Sequence, residues 1–524
     1  MPLYLGLDSS TQSLTAVVLD VGARDRSIVC QHALGFDREL PGYGTRHGVL
    51  PDPNPTVALS SPVMWADALD RMMGVVSRAL GPDLRHVRAV SGSAQQHGTV
   101  YLIEHAEAAW AGLSAAKPLA AQIDRTFSRE RSPIWMDAST SAQCAAITKA
   151  LGGDGRVAEL TGSRAFERFA GPQIRKFYEQ DSAAYARTAA IHLVSSYMAS
   201  LLAGQQAPID PGDGAGMNLM DIRSRTWAAA ALDATAPGLA GKLPRLAPSS
   251  SVVGPLSRYW TERYGFPAAK VVAWSGDNPC SLIGTGLVEE GRIAISLGTS
   301  DTLFAFMREP RVDPLHVGHV FGSPTGDYMG LVVFANGSLA RERIRDEYGL
   351  DWNGFSAALR TTAPGNGGAI MLPWFVPEIT PPVPTAGMRR CGLAAGDAAA
   401  NVRAVVEGQM LSMAIHSTWT GVRARTIHAT GGASVNREIL RIMADVHDAD
   451  VYQLDVPASA AVGAALRAFH ADELSEGRAI SWRDVVAGIA EPVASTRVAP
   501  VPENVRVYDE LKTKYAMCEA DWLA

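Results

Sequence analysis

The chain has 524 residues, more than one ordinary hydrophobic core accommodates, so at least two domains are expected. With 47% hydrophobic and 19% charged residues the composition excludes an extended disordered chain, and no apolar run reaches the roughly 18 residues that a membrane helix needs. A net charge of −6 argues against a polyanion-binding surface as the main business, leaving room for a local basic cleft for a small phosphate, so neither nucleic acid nor membrane is expected as a partner.

Residues 3–8 form an apolar run, 9–13 have turn composition and 14–20 are apolar again, which predicts a β-hairpin at the start of the chain. Helical stretches are expected next, broken around Pro41-Gly42 and Pro51. Residues 87–91 read as a strand that ends in Gly92-Ser93-Ala94-Gln95-Gln96-His97-Gly98. Helical spacing covers 188–202, and 207–216 read as loop. Residues 271–275 form an apolar strand running into Gly276-Asp277-Asn278. The opening pattern then returns: 293–297 apolar, a turn at Gly298-Thr299-Ser300-Asp301, and 302–306 apolar. Two such hairpins, about half the chain apart, predict two similarly built α/β domains. A long helix is expected over 398–422. A strand at 426–430 runs into Gly431-Gly432-Ala433-Ser434, followed by a helix over 435–446, a strand at 451–454 and a helix over 460–470 rich in small residues.

The five cysteines are odd in number, widely spaced and without a CxxC pair, so neither a disulfide framework nor a cysteine zinc site is expected. The start lacks a basic, signal-like segment, and a cytoplasmic location is the expectation.

Several stretches suit ligand chemistry. The small residues of the hairpin turns, Ser10 and Thr11 in the first and Gly298, Thr299 and Ser300 in the second, let backbone N–H groups and hydroxyls approach phosphates. Asp8, at a strand tip, would supply a carboxylate for magnesium, through water. The strand–Gly431-Gly432–helix unit offers the positive end of a helix to a nucleotide phosphate, whereas Rossmann and Walker A signatures are missing at suitable places. Asp277 sits where open α/β sheets place ligands and could accept a proton from a hydroxyl, although spacing alone favours a helix cap. Gln95-Gln96-His97 suits a polyhydroxylated ligand, and Arg168 can donate two hydrogen bonds to vicinal hydroxyls; the plainer readings are a structural histidine and a surface ion pair. Trp135-Met136-Asp137 could add a stacking ring and an acceptor, against a buried tryptophan as the plain alternative. Asp210 and Asp213 resemble a metal pair but read as turn residues, since no third ligand lies at useful spacing.

Taken in order, Asp8-Ser9-Ser10-Thr11, Gln95-Gln96-His97-Gly98, Gly276-Asp277-Asn278, Leu297-Gly298-Thr299-Ser300 and Gly431-Gly432-Ala433 resemble the FGGY carbohydrate kinases over roughly residues 3–475, and within them the branch acting on ketopentoses. The resemblance implies two actin-like, ribonuclease-H-like ATPase domains facing each other across a deep cleft, with residues 1–286 binding the sugar and 287–524 binding ATP. It implies Asp277 as catalytic base, with His97, Arg168, Asp277 and Asn278 on the sugar. It implies Gly431, Gly432, Asn436 and an aromatic near Trp352 on the nucleotide, and Asp8 on magnesium. The implied reaction is ATP-dependent phosphorylation of D-xylulose. The residues by themselves leave open a kinase of ribulose, gluconate or glycerol, or a non-enzymatic actin-like ATP-binding module; a monomer and a homodimer are both open. One departure is Ser139, two positions after the Asp of Trp135-Met136-Asp137, where many family members carry Arg; this argues against a glycerol-type set of contacts.

Overall fold

The computed structural model describes residues 2–22, 26–454, 456 and 458–524. They pack into two compact units that alternate along the chain. The first comprises Met1–Val288, Val320–Tyr328 and Val456–Ala490; the second comprises Glu289–His319, Met329–Asp455 and Glu491–Ala524.

The sheet of the first unit contains β1 (Leu3–Ser9), β2 (Ser13–Asp20), β3 (Ser27–Gly35), β4 (Val87–Ala94), β5 (Val252–Pro255), β6 (Lys270–Val272) and β7 (Ser275–Gly276). Its order is β5-β6-β4-β1-β2-β3, with β7 also on β4. The expected hairpin is β1–β2, antiparallel from Leu3 opposite Asp20 to Ser9 opposite Leu14. Of the helical stretch expected after it, residues 23–25 lie outside the described part, and Ser27–Gly35 is instead a third strand. The half-exposed side chains of that edge strand blur the alternation that marks a strand in sequence. Thr188–Leu202 also resolves differently: Ala190–Leu193 is a strand paired with Thr99–Leu102, and only then does the helix Val194–Ala203 begin. A short helix, Pro211–Gly214, interrupts the stretch read as loop.

Because side chains alternate along β1, it feeds two cores. Leu3, Leu5 and Leu7 join Trp65, Leu69 and Met72 of the helix Pro62–Leu80. Tyr4 joins Ala461, Ala465 and Leu466 of the helix Ser459–Ser475 on the opposite face. The small residues of that late helix let it lie against Asp277–Gly284: a Cβ on Gly284 would stand 1.9 Å from the Ser459 carbonyl oxygen.

In the second unit, β8 (Arg292–Leu297), β9 (Asp301–Met307), β10 (Tyr328–Phe334), β11 (Thr426–Thr430) and β12 (Asp450–Gln453) run in the order β10-β9-β8-β11-β12. The plan of the first unit repeats. An antiparallel hairpin, β8–β9, carries a parallel neighbour, β11, just as β1–β2 carries β4. The long helix Ala398–His416 stops short of the expected end, where Ser417 to Gly421 turn through a 3-10 segment and a left-handed glycine. The helix after the glycine pair is Arg437–His447, begun by Asn436 rather than Val435. The C-terminal stretch forms the helix Pro502–Leu523, joined to β-strand Arg389–Cys391 by a disulfide, Cys391–Cys518. That bridge departs from the expectation drawn from cysteine spacing: residues 127 apart in sequence meet only in the fold. Among the described residues no helix is long and apolar enough to cross a membrane.

Candidate active site

In the first unit the C-terminal ends of three parallel strands converge. Asp8 of β1 and Ser275 of β7 both stand beside Ser93 of β4, so the residues following each strand emerge together. Asp8 accepts a hydrogen bond from Ser93 Oγ (2.6 Å). Burial, reinforced by the charge of Asp277, raises the Asp8 carboxyl to about 7.

Asp277 opens the helix Asp277–Gly284 but does not cap it. The cap position is Gly276, which has no side chain to bond the first turn. Asp277 Oδ1 instead accepts from the backbone N–H of Asn278 (2.9 Å) and from Asn278 Nδ2 (3.2 Å). Burial raises its carboxyl to about 6, with backbone donors of Asn278 and Gln96 acting the other way. Asp277 is therefore the first helical residue and not the cap, and its carboxylate stands at the strand ends while bonding the Asn278 N–H of the first turn.

His97 holds a left-handed backbone (φ 72°) directly after Gln96. Its ring stacks on Phe169 (4.4 Å between centroids), and its Nδ1 lies 2.8 Å from the Gly216 carbonyl oxygen. Burial, then the nearby Arg168, lowers its pKa to about 3, so the ring is neutral. A carbonyl only accepts, so Nδ1 carries the proton and Nε2 is left as an acceptor. Arg168 lies over the same ring, its guanidinium carbon 5.8 Å from the Phe169 centroid, and burial lowers its pKa. Phe169 thus joins His97 to Arg168, a role no sequence spacing announced.

Ser10 and Thr11 form the β1–β2 turn. Ser10 Oγ bonds within the turn to Ser13, and Thr11 Oγ1 accepts from the Trp135 indole (2.7 Å). Trp135 is exposed, not buried. Asp137 is buried, and its oxygens accept from Ala58 N–H, Ser139 and Gln173, so it braces a loop.

The second unit gathers the other predicted residues. Gly431 (φ 84°) lies against the end of β8: a Cβ there would stand 2.5 Å from the Leu297 carbonyl oxygen. The turn Gly298-Thr299-Ser300 and the Gly431-Gly432 turn are therefore neighbours. Gly432 faces open space, and a Cβ added there would meet no atom within 4 Å. Asn436 caps Arg437–His447 through Oδ1, accepting from Glu438 and Ile439, while its Nδ2 donates to Ser356 Oγ (2.9 Å). Ser356 follows Trp352 by one turn of the helix Trp352–Thr361. Trp352, 44% exposed, is held by Arg345 over its ring at 4.5 Å. Asp301, which closes the second turn as Asp8 closes the first strand, is consumed differently. It is fully buried in a two-pronged pair with Arg341 (2.8 and 3.0 Å).

These two sets of residues sit on a chain that matches the N-terminal domain model of the FGGY family of carbohydrate kinases over residues 3–284 and the C-terminal domain model over 293–471. A xylulose kinase of Mus musculus is 44% identical, over 98% of this chain and 93% of that protein. Xylulose kinase 2 of Arabidopsis thaliana is 43% identical, over 89% and 87%. The crystal structure of a xylulose kinase from Rhodospirillum rubrum superposes with a TM-score of 0.82 at 19% identity, covering 99% of this chain and 98% of that one, a likeness of fold. The fold is accordingly the two-domain actin-like ATPase fold, and the chain belongs to the FGGY family of carbohydrate kinases.

Proposed function

We propose that this protein transfers the γ-phosphate of ATP to the terminal primary hydroxyl of D-xylulose, with Asp277 as the base. The observation that carries the reading is the carboxylate of Asp277 at the strand ends, beside Asn278 and in the same unit as the neutral His97 and Arg168. The substrate follows from the full-length resemblance to the Mus musculus xylulose kinase.

His97 Nε2 accepts a hydrogen bond from a sugar hydroxyl, Arg168 donates to a hydroxyl or the carbonyl, and Asn278 bonds both sugar and Asp277. Asp277 orients the attacking hydroxyl. As the new O–P bond forms and the bond to the ADP oxygen breaks, the hydroxyl proton passes to the Asp277 carboxylate. A carboxylate is a weak base toward an alcohol, so the proton moves late. Residues 1–286 carry the sugar groups in this reading. Residues 287–524 carry ATP, with Gly298, Thr299, Ser300, Gly431 and Gly432 along the phosphates and Trp352 and Asn436 toward the nucleoside.

Magnesium fits Asp8. The donors there are oxygens, as a hard cation requires, and the pKa that burial and Asp277 raise to about 7 marks a site where positive charge is wanted. Bound there, the metal would neutralise charge on the transferring phosphate. We place the enzyme in the cytoplasm.

The test is ADP release at matched ATP over D-xylulose, L-xylulose, ribulose, gluconate and glycerol. D-xylulose should give the highest kcat/KM. Release independent of any sugar would identify an ATP-binding module instead, and preference for another acceptor would move the assignment within the family.

A further inference from the structure

We infer that a cavity of about 350 Å³ in the first unit is a binding site for a small phosphorylated sugar, separate from the residues assigned above to the acceptor and to ATP. Every residue lining it belongs to the first unit, and none of the residues placed above on sugar or nucleotide is among them. The volume falls in the usual range of small-molecule sites, roughly 300–1,000 Å³. Its walls come from the segment 246–250, the turn 323–326 and the last turns of the helix Ser459–Ser475.

One end of the cavity suits an anion. Arg225 lines it, and among the described residues no acidic side chain does. Arg225 Nη2 donates to the carbonyl oxygens of Gly326 (2.5 Å) and Asp327 (3.3 Å), and the guanidinium carbon lies 4.7 Å from the centroid of the Tyr328 ring. These contacts hold the guanidinium in place, and among the described residues Nε and Nη1 have no partner. Two donors on a held plane match two oxygens of a phosphate. The Asp327 carboxylate, the acid next along the chain, accepts from Thr325 Oγ1 (3.0 Å).

The remaining walls suit a sugar. His470 is 8% exposed and its ring stacks on Trp482 (4.1 Å between centroids). Among the described residues neither of its ring nitrogens has a hydrogen-bond partner, although the side chain faces the cavity. Burial, then the charge of Arg467, lowers its pKa to about 4, so the ring is neutral and offers one donor and one acceptor. A buried polar group left unpaired is costly, and a sugar hydroxyl, which both donates and accepts, meets either nitrogen. The Ser250 hydroxyl is likewise without a partner among the described residues, while Leu246, Pro248 and Leu474 present apolar surface to a carbon skeleton. Inorganic phosphate would leave His470 unpaired, and an unphosphorylated sugar would leave Arg225 unused. A phosphorylated sugar engages both.

Calorimetry with D-ribose 5-phosphate, D-ribose and inorganic phosphate tests the site, on the full chain with ADP and saturating D-xylulose present to occupy the acceptor and nucleotide residues. D-ribose 5-phosphate should bind one to one and at least about tenfold more tightly than D-ribose or phosphate, because each fragment engages one end only. Arg225→Ala should weaken it on the order of 10- to 100-fold, the usual cost of losing hydrogen bonds to a charged group. Leu474 is 41% exposed, so the fold tolerates Leu474→Trp, which fills the cavity and should abolish binding while melting like the parent. No heat from the parent at millimolar D-ribose 5-phosphate overturns the site. So does binding unchanged in folded Leu474→Trp or in Arg225→Ala, and phosphate or D-ribose binding as tightly as D-ribose 5-phosphate overturns the ligand class. Should Leu474→Trp not fold, Arg225→Ala and His470→Ala still decide, the latter by a loss for D-ribose 5-phosphate with none for phosphate. The inference does not use the sugar-kinase reading, so failure of either leaves the other standing.

Discussion

At the scale of single residues, two aspartates show how surroundings assign roles. Asp277 is the first residue of its helix, not the cap, and is raised to about 6 by burial. A base works only when ionised, so kcat/KM should fall about tenfold for each pH unit below 6 and level off above it. Asp277→Asn should lower kcat by roughly 100- to 10,000-fold, the usual cost of losing a general base, with D-xylulose affinity by calorimetry close to the parent. Near-parental turnover in that variant would return Asp277 to a structural role. Asp301, by contrast, is locked to Arg341 with both side chains fully buried. Its removal strands a buried guanidinium, which costs about 3–5 kcal/mol. Asp301→Ala should therefore lower the urea midpoint strongly, and a loss under about 1 kcal/mol would contradict the pairing inferred from the geometry.

At the scale of elements, the decisive unit of the second half is β11, its glycine pair and the helix after it. The glycines differ in surroundings. Gly431 combines a positive φ with contact against Leu297, so a side chain there would deform the turn itself. Gly432 faces open space, so the fold tolerates a side chain and only a ligand would meet it. Gly432→Val should accordingly melt like the parent and bind D-xylulose like the parent, yet lose ATP affinity. Calorimetry giving an unchanged ATP affinity in the folded variant would remove Gly432 from the nucleotide site. Asn436 was legible as a ligand residue only by resemblance. In the structure its side chain caps Arg437–His447 and ties that helix to Ser356, so the start of the helix, and with it the orientation of Trp352's helix, depends on it.

At the scale of the whole molecule, the compact units do not follow the chain in two halves. Residues Val456–Ala490 pack in the first unit, where Ala461, Ala465 and Leu466 cover Tyr4, Val17 and Ile283. Arg467 of that segment is buried and donates to the carbonyls of Gly92, Ser249 and Ala273, tying together chain segments around β4 and β6. A fragment ending at Val288 would expose that apolar face and leave those carbonyls without their donor. It should give no cooperative thermal transition, whereas a fragment in which a flexible linker joins residues 456–490 to it should regain one. Circular dichroism melts decide, and a cooperative transition in the shorter fragment would refute the dependence.

What the sequence determined by itself is local and periodic. Both hairpins and the strand–glycine–helix unit around Gly431 are short-range patterns, so their elements were legible within a few residues, whereas the strand expected at 271–275 forms as two short pieces, Lys270–Val272 and Ser275–Gly276. The duplicated plan was legible because the hairpin pattern recurs. The edge strand Ser27–Gly35, half exposed, lacks that alternation and its residues read as helix. Tertiary structure alone decided which polar residues are tied into the fold. Asp137, an apparent sugar acceptor, braces a loop; Asp210, an apparent turn residue, accepts from Ser249; Cys391 finds Cys518. The physical reason is common to all three. A polar side chain's role is set by the partners that meet it in space, and those partners come from segments tens to more than a hundred residues away, where no spacing rule reaches.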